Sequence, residues 1–142
     1  MVCNDLIHDE SGYRMDYPGL EKLCRDGAKA LLLCSPHNPV CRVWTREELQ
    51  RLADIAAEYH ILVISDEIHW DLMLYGSRHV TMGLFPEIAD HLIVCTSASK
   101  TFNIAGLETS NLIIPNDGLR KKSWIICLPA MSLSRTRSVW RR

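Results

Sequence analysis

No apolar run in the chain approaches the ~20 residues that a membrane-spanning helix needs; its apolar stretches are short pieces such as AKALLLC, Ala28 to Cys34. The opening residues, MVCNDLIHDESG, lack a basic region followed by an apolar stretch, so no secretory signal is read there. None of the six cysteines (Cys3, Cys24, Cys34, Cys41, Cys95, Cys127) stands at C-x-x-C spacing from another, and no paired Cys/His spacing points to a metal. Reduced thiols in a cytoplasmic protein are the expectation. Charge of neither sign dominates: 16 Lys and Arg stand against 17 Asp and Glu, a formal net charge of −1. That balance gives no electrostatic footprint for nucleic acid or an anionic membrane. A G-x-x-x-x-G-K-[ST] phosphate loop is absent, and so is any internal repeat.

What remains is the composition of an ordinary globular chain, 47% hydrophobic and 23% charged over 142 residues, enough for one domain with one core. The pattern is α/β. A short amphipathic stretch lies around Leu20 to Cys24. Ala28 to Cys34 reads as a buried strand, being short, continuously apolar and closed by Ser-Pro. A helix then opens on Thr45 and Glu48, a T-x-x-E capping box in which each side chain satisfies a backbone donor of the other. Leu49, Leu52, Ala53 and Ala56 give that helix one apolar face, and it should end near Tyr59 or His60. Ile61 to Ser65 and Leu92 to Thr96 are the next strands, with Asn111 to Ile114 a fourth. Strand, helix and strand at this spacing predict parallel pairing through a crossover. From about Ser123 the periodicity dissolves, and the basic end from Arg135 to Arg142 reads as a solvated tail.

In parallel sheets chemistry gathers beyond the carboxyl ends of the strands. Here those ends carry SPHNPVCRVW (Ser35 to Trp44), SDEIHWDL (Ser65 to Leu72) and TSASKTFNIAGL (Thr96 to Leu107). An apolar strand closing on Asp-Glu also occurs in nucleotide hydrolases, but that reading requires the missing phosphate loop. Trp44 and Trp70 read as packing residues.

Together, and in this order, the three segments resemble class I/II aminotransferase-like enzymes that depend on pyridoxal phosphate (PLP), the fold-type I group. Their wording is most similar to the MalY/PatB-type branch, the cystathionine or cysteine-S-conjugate β-lyases. The resemblance implies that residues 1–122 form part of a PLP-binding large domain with a parallel or mixed sheet, followed by a divergent tail over 123–142. It implies PLP as cofactor, with Lys100 of S-x-S-K as the lysine that forms the Schiff base and later moves the α-proton of the substrate. Asp66 would face the pyridine nitrogen and favour its protonation. Asn38 of the N-P-x-G segment would donate to the phenolic oxygen, and His69 stands where many relatives place a tyrosine with a similar duty. Ser97 and Ser99 would bind the phosphate. Cys41 replaces the glycine of N-P-x-G, and a positive φ there would cost about 1–2 kcal/mol.

The implied activity is a carbon–sulfur β-lyase acting on a sulfur-containing amino acid to give thiol, pyruvate and ammonia. The same Lys100, Asp66 and Asn38 would also serve an aminotransferase. A non-catalytic fragment is the third reading, because the stretch resembled includes neither the family's glycine phosphate loop and ring-stacking aromatic nor the arginine that takes the substrate carboxylate. Relatives of this kind are homodimers, which the resemblance extends to the full-length form. A sheet of about four strands is also expected to leave exposed edges that invite association.

Overall fold

The computed structural model describes residues 1–124; the basic end at 135–142 and nearly all of the divergent stretch lie outside them. A short hairpin comes first, β1 (Ile7–Asp9) against β2 (Gly12–Arg14). Helix α1 (Tyr17–Arg25) follows, capped by Asp16, whose carboxylate accepts from the Gly19 amide at 3.1 Å. It ends in a Schellman turn: Gly27, at φ 100°, donates to the Cys24 carbonyl and Ala28 to that of Leu23, each at 3.0 Å.

Strand β3 (Ala30–Cys34) leads through an eleven-residue loop, 35–45, to helix α2 (Arg46–Glu58). The expected capping box is formed in both directions, Glu48 N to Thr45 Oγ1 at 3.2 Å and Thr45 N to Glu48 Oε2 at 2.8 Å. The helix closes on Tyr59 as its cap. His60 at φ 51° takes the left-handed position, donating to Ala57 at 3.2 Å while Ile61 donates to Ala56 at 3.1 Å.

Strand β4 (Leu62–Asp66) pairs in parallel with β3, and β5 (Leu92–Thr96) in parallel with β4; β6 (Asn111–Ile113) adds antiparallel to β5. The sheet order is β3-β4-β5-β6. The β3-to-β4 connection is the crossover helix foreseen from the spacing. The β4-to-β5 connection has no α-helix; two 3₁₀ segments, Met82–Leu84 and Pro86–His91, fill its place.

Alternation along the strands sends Leu33, Val63, Leu92 and Val94 into the core, where they meet Leu49, Leu52, Ala53 and Ala56 of α2 and Met82, Phe85 and Ile88 of the connection. Each fully buried aliphatic or aromatic side chain contributes about 1.5–3 kcal/mol of transfer free energy. Trp44 lies in this core at 1% exposure, as expected, whereas Trp70 is 45% exposed and packs less than its sequence context suggested. The opposite face of the sheet is open. Leu32, Ile64 and Ile93 stand side by side in register across it, and Leu32 is 69% exposed. Among the described residues no helix is long and apolar enough to cross a membrane.

Candidate functional site

The register of β3, β4 and β5 sets the site. Cys34, Asp66 and Cys95 are direct partners in a row across the three strands, so the parallel carboxyl ends reach one edge together. Every candidate residue lies at this edge: Asp66 as the last residue of β4, Asn38 four residues past β3, and Ser97, Ser99 and Lys100 in the loop that leaves β5.

The loop after β3 is braced from below. His37 and Arg42 exchange backbone hydrogen bonds of 2.8 and 3.3 Å, so residues 38–41 form the tip of a small hairpin. Arg42 fastens its base by donating to the carbonyls of Tyr13 (2.8 Å) and Val43 (2.9 Å) and to Glu48 Oε1 (2.5 Å) of the capping box. Its guanidinium lies 4.9 Å from the centre of the Trp44 ring, and the indole Nε1 donates to Cys34 O at 3.0 Å. Asn38 is exposed at the tip, and its side-chain amide makes no hydrogen bond among the described residues. Cys41 has φ 57°, the left-handed conformation that the N-P-x-G pattern provides for with glycine.

Asp66 is held at backbone and side chain. Its carbonyl accepts from the Ser35 amide at 2.9 Å and its Oδ1 from the Ile68 amide at 3.2 Å, which leaves Oδ2 without a hydrogen bond among the described residues. Glu67 turns to the opposite face and is 2% exposed. It accepts from Ser65 Oγ and Met82 N, each at 2.9 Å, and meets His79 Nε2 at 2.8 Å. Burial alone would raise the Glu67 pKa; the hydrogen bonds from His79, Met82, Thr81 and Ser65 outweigh it and hold the carboxyl below its ordinary value. His69 is half-buried in the turn beyond, its ring making no hydrogen bond among the described residues. The Cys95 thiol is pushed up by burial and by the carboxylates of Asp66 and Glu67. That shift favours the neutral thiol over the thiolate.

In the loop after β5, Ser97 is 7% exposed and its hydroxyl is engaged as donor and acceptor: Oγ donates to Thr109 O at 2.6 Å and accepts from Ser99 N at 3.0 Å. Ser99 is half-buried, and its hydroxyl carries no hydrogen bond among the described residues. Residues 98–104 wind through a compact turn, Phe102 N to Ala98 O and Ile104 N to Ser99 O, each at 3.0 Å. Lys100 lies within it, exposed, with no ion pair or hydrogen bond to its ammonium among the described residues. The next residue, Thr101, donates from Oγ1 to Asp71 Oδ2 at 2.8 Å.

Two parts of this arrangement escaped the sequence reading. Glu67 was legible in principle, since an acid two residues beyond Ser65 on the core-facing side of an apolar strand must be buried and needs donors. The Asp71–Thr101 contact joins residues 30 apart and has no sequence signal. Among the described residues no cluster of His, Cys, Asp and Glu is arranged to hold a metal ion.

Comparison with known proteins agrees with this geometry. Residues 6–131 match the family model for aminotransferase class I and II. Cystathionine beta-lyase PatB of Bacillus subtilis (strain 168) is 44% identical over 124 residues, which is 86% of this chain and 32% of that protein. Kynurenine–oxoglutarate transaminase 3 of Homo sapiens is 38% identical over 106 residues, 75% of this chain and 23% of that one. The solved structure of cystalysin from Treponema denticola, which contains a pyridoxal 5'-phosphate cofactor, superposes with a TM-score of 0.84 at 40% identity, covering 94% of this chain and 34% of the other. The chain thus spans about a third of the length of the relatives it matches. With three strand-end segments converging on one edge and a family match over most of its length, the chain belongs to the aminotransferase class I and II family.

Proposed function

We propose that the chain carries the cofactor-anchoring part of a PLP-dependent carbon–sulfur β-lyase, with Lys100 as the residue that bonds the cofactor. The observation that carries this reading is the convergence of Asn38, Asp66 and Lys100 on one sheet edge through the in-register ends of β3, β4 and β5.

The donor set suits the group. PLP offers an aldehyde, a phenolic oxygen, a basic ring nitrogen and a phosphate. The edge offers three groups without a side-chain partner among the described residues: the Lys100 amine, the Asn38 amide and one carboxylate oxygen of Asp66. For the phosphate it offers the free Ser99 hydroxyl, while the Ser97 proton is engaged at Thr109 O. When bound, the cofactor supplies an electron sink for charge that develops at the substrate α-carbon. Around it, the Lys100 amine would bond the aldehyde and be placed to move the substrate α-proton, Asp66 would hold a proton on the ring nitrogen through its attraction for the charged form, and Asn38 with His69 would orient the phenolic side. The net reaction would be β-elimination, giving thiol, pyruvate and ammonia.

The similarity to PatB favours a sulfur-containing amino acid as substrate; the similarity to the transaminase keeps amino transfer as the second reading, served by the same three residues. A homodimer and a cytoplasmic location belong to the same proposal, the latter fitting five described cysteines that are all free thiols. The test is to add PLP to the chain and to Lys100→Ala, reduce with borohydride, and locate the adduct by mass spectrometry. A covalent adduct at Lys100 that the variant lacks supports the reading. Cystathionine is then the substrate: thiol and pyruvate release without a keto-acid acceptor marks the lyase, and dependence on an acceptor marks amino transfer. Absence of any adduct at Lys100 leaves the chain a non-catalytic fragment.

A further inference from the structure

Strand β4 ends on Asp66 and the loop that leaves it carries His69, while the loop that leaves β5 carries Lys100. Their strands are neighbours, but the loops themselves run on for many residues without shared secondary structure. Among the described residues, one side-chain hydrogen bond links the 67–91 segment to the 97–110 segment: Thr101 Oγ1 to Asp71 Oδ2, 2.8 Å long and bridging 30 residues. Thr101 is adjacent to Lys100, and Asp71 lies two residues beyond His69. The bond therefore fixes the lysine segment against the segment that follows Asp66 and holds His69.

We propose that Asp71 is a positioning residue for Lys100, acting through the Thr101 hydroxyl as a strut between the two loops. This rests on the reading of Lys100 as the cofactor-bonding residue. Among the described residues the Lys100 ammonium has no hydrogen bond or ion pair to hold it, and the compact turn of residues 98–104 fixes its local shape but not its place relative to Asp66. A reaction that needs an amine and a carboxylate on opposite ends of one small ring is sensitive to displacements of the order of 1 Å. Asp71 is exposed and Thr101 only half-buried, so the strut adds little to global stability, and its removal leaves a folded chain. That separates positioning from a merely structural role.

Hydrogen exchange on the ligand-free chain decides the proposal. Thr101→Val removes the hydroxyl with little change of shape, and Asp71→Ala removes the acceptor. Each is expected to speed exchange by about three- to tenfold in both the 98–104 and 68–72 segments, with the unfolding midpoint unchanged. The double variant should be no faster than either single one. Thr101→Ser and Asp71→Asn keep a hydroxyl and an acceptor oxygen and should behave like the unaltered chain. A second readout is the rate at which borohydride fixes PLP to Lys100, which should fall about three- to tenfold in Thr101→Val and Asp71→Ala and recover in the two conservative variants. The proposal is overturned if each substitution loosens only its own loop, or if the loops loosen together while fixation at Lys100 keeps its rate. If the unaltered chain fixes no PLP at all, the function assigned to Lys100 fails, and the exchange data alone still decide whether the strut exists.

Discussion

Glu67 and His79 meet at 2.8 Å beneath the sheet, with side-chain exposures of 2% and 9%. The pair ties the end of β4 to the segment that returns towards β5, and the same carboxylate also receives Ser65 Oγ and the Met82 amide. Glu67→Ala strands all three partners without an acceptor and should cost about 3 kcal/mol, a large part of a small domain's stability. The pair also sets an acid limit. Because the folded-state pKa of Glu67 lies below its ordinary 4.5, its contribution is fully present above that pH and is lost as pH falls through the lower folded value. Urea unfolding followed from about pH 6 to pH 3 should show this decline. Glu67→Gln, which cannot ionise, should remove part of the slope; an unchanged slope would mean that other carboxyls account for acid sensitivity.

Cys41 stands at φ 57°, where a Cβ is strained and glycine is not. Cys41→Gly should raise stability by about 1 kcal/mol, less the extra freedom glycine gives the unfolded chain, read as a higher denaturant midpoint at constant slope. The change lies three residues from Asn38 and restores the N-P-x-G wording, so binding of PLP should be kept or strengthened. A lower midpoint would show that the Cys41 thiol, 3.5 Å from Pro39 O, contributes more than the strain costs.

The frame of the sheet was readable because apolar blocks and capping signals agree with the final packing. Leu92 to Thr96 is β5 as read, and Thr45 and Glu48 form the capping box expected of them. The boundaries of β3 and β4 shifted by one or two residues, since alternation specifies faces better than ends. The hairpin β1–β2 has three residues per strand and no apolar alternation to reveal it. Nor does a local pattern distinguish a hydroxyl free to bind a ligand from one engaged in the loop. Ser97 and Ser99 look alike in S-x-S-K, yet only Ser97 is held by Thr109 O.

That difference is testable. Ser97→Ala removes a buried donor and acceptor at once and should destabilise the chain by about 1–2 kcal/mol, loosening the segment before Lys100. Ser99→Ala removes a hydroxyl with no protein partner and should leave the unfolding midpoint nearly unchanged while weakening PLP binding. Thermal unfolding and a PLP titration, run on both variants, separate the two roles. Equal losses of stability would show that Ser99 also holds the loop.

The open sheet face gives the last prediction. Leu32, Ile64 and Ile93 form an apolar row, and Leu32 lies on β3, an edge strand whose outer backbone groups have no strand neighbour among the described residues. An exposed apolar face beside an unpaired edge favours association, because a second surface laid on it removes apolar area from water at about 25 cal/mol per Å². Leu32 is the most accessible of the three at 69% exposure, so a substitution there perturbs the core little. Leu32→Lys places a charge on the edge and should shift sedimentation towards smaller species at a given concentration. Val63, fully buried on the other face, is the control: Val63→Ala should cost about 1–3 kcal/mol of stability and change association only through unfolding. If Leu32→Lys leaves the concentration dependence intact, association runs through another surface. The exposed Leu72, Leu74 and Tyr75 beyond His69 would then be the next to alter.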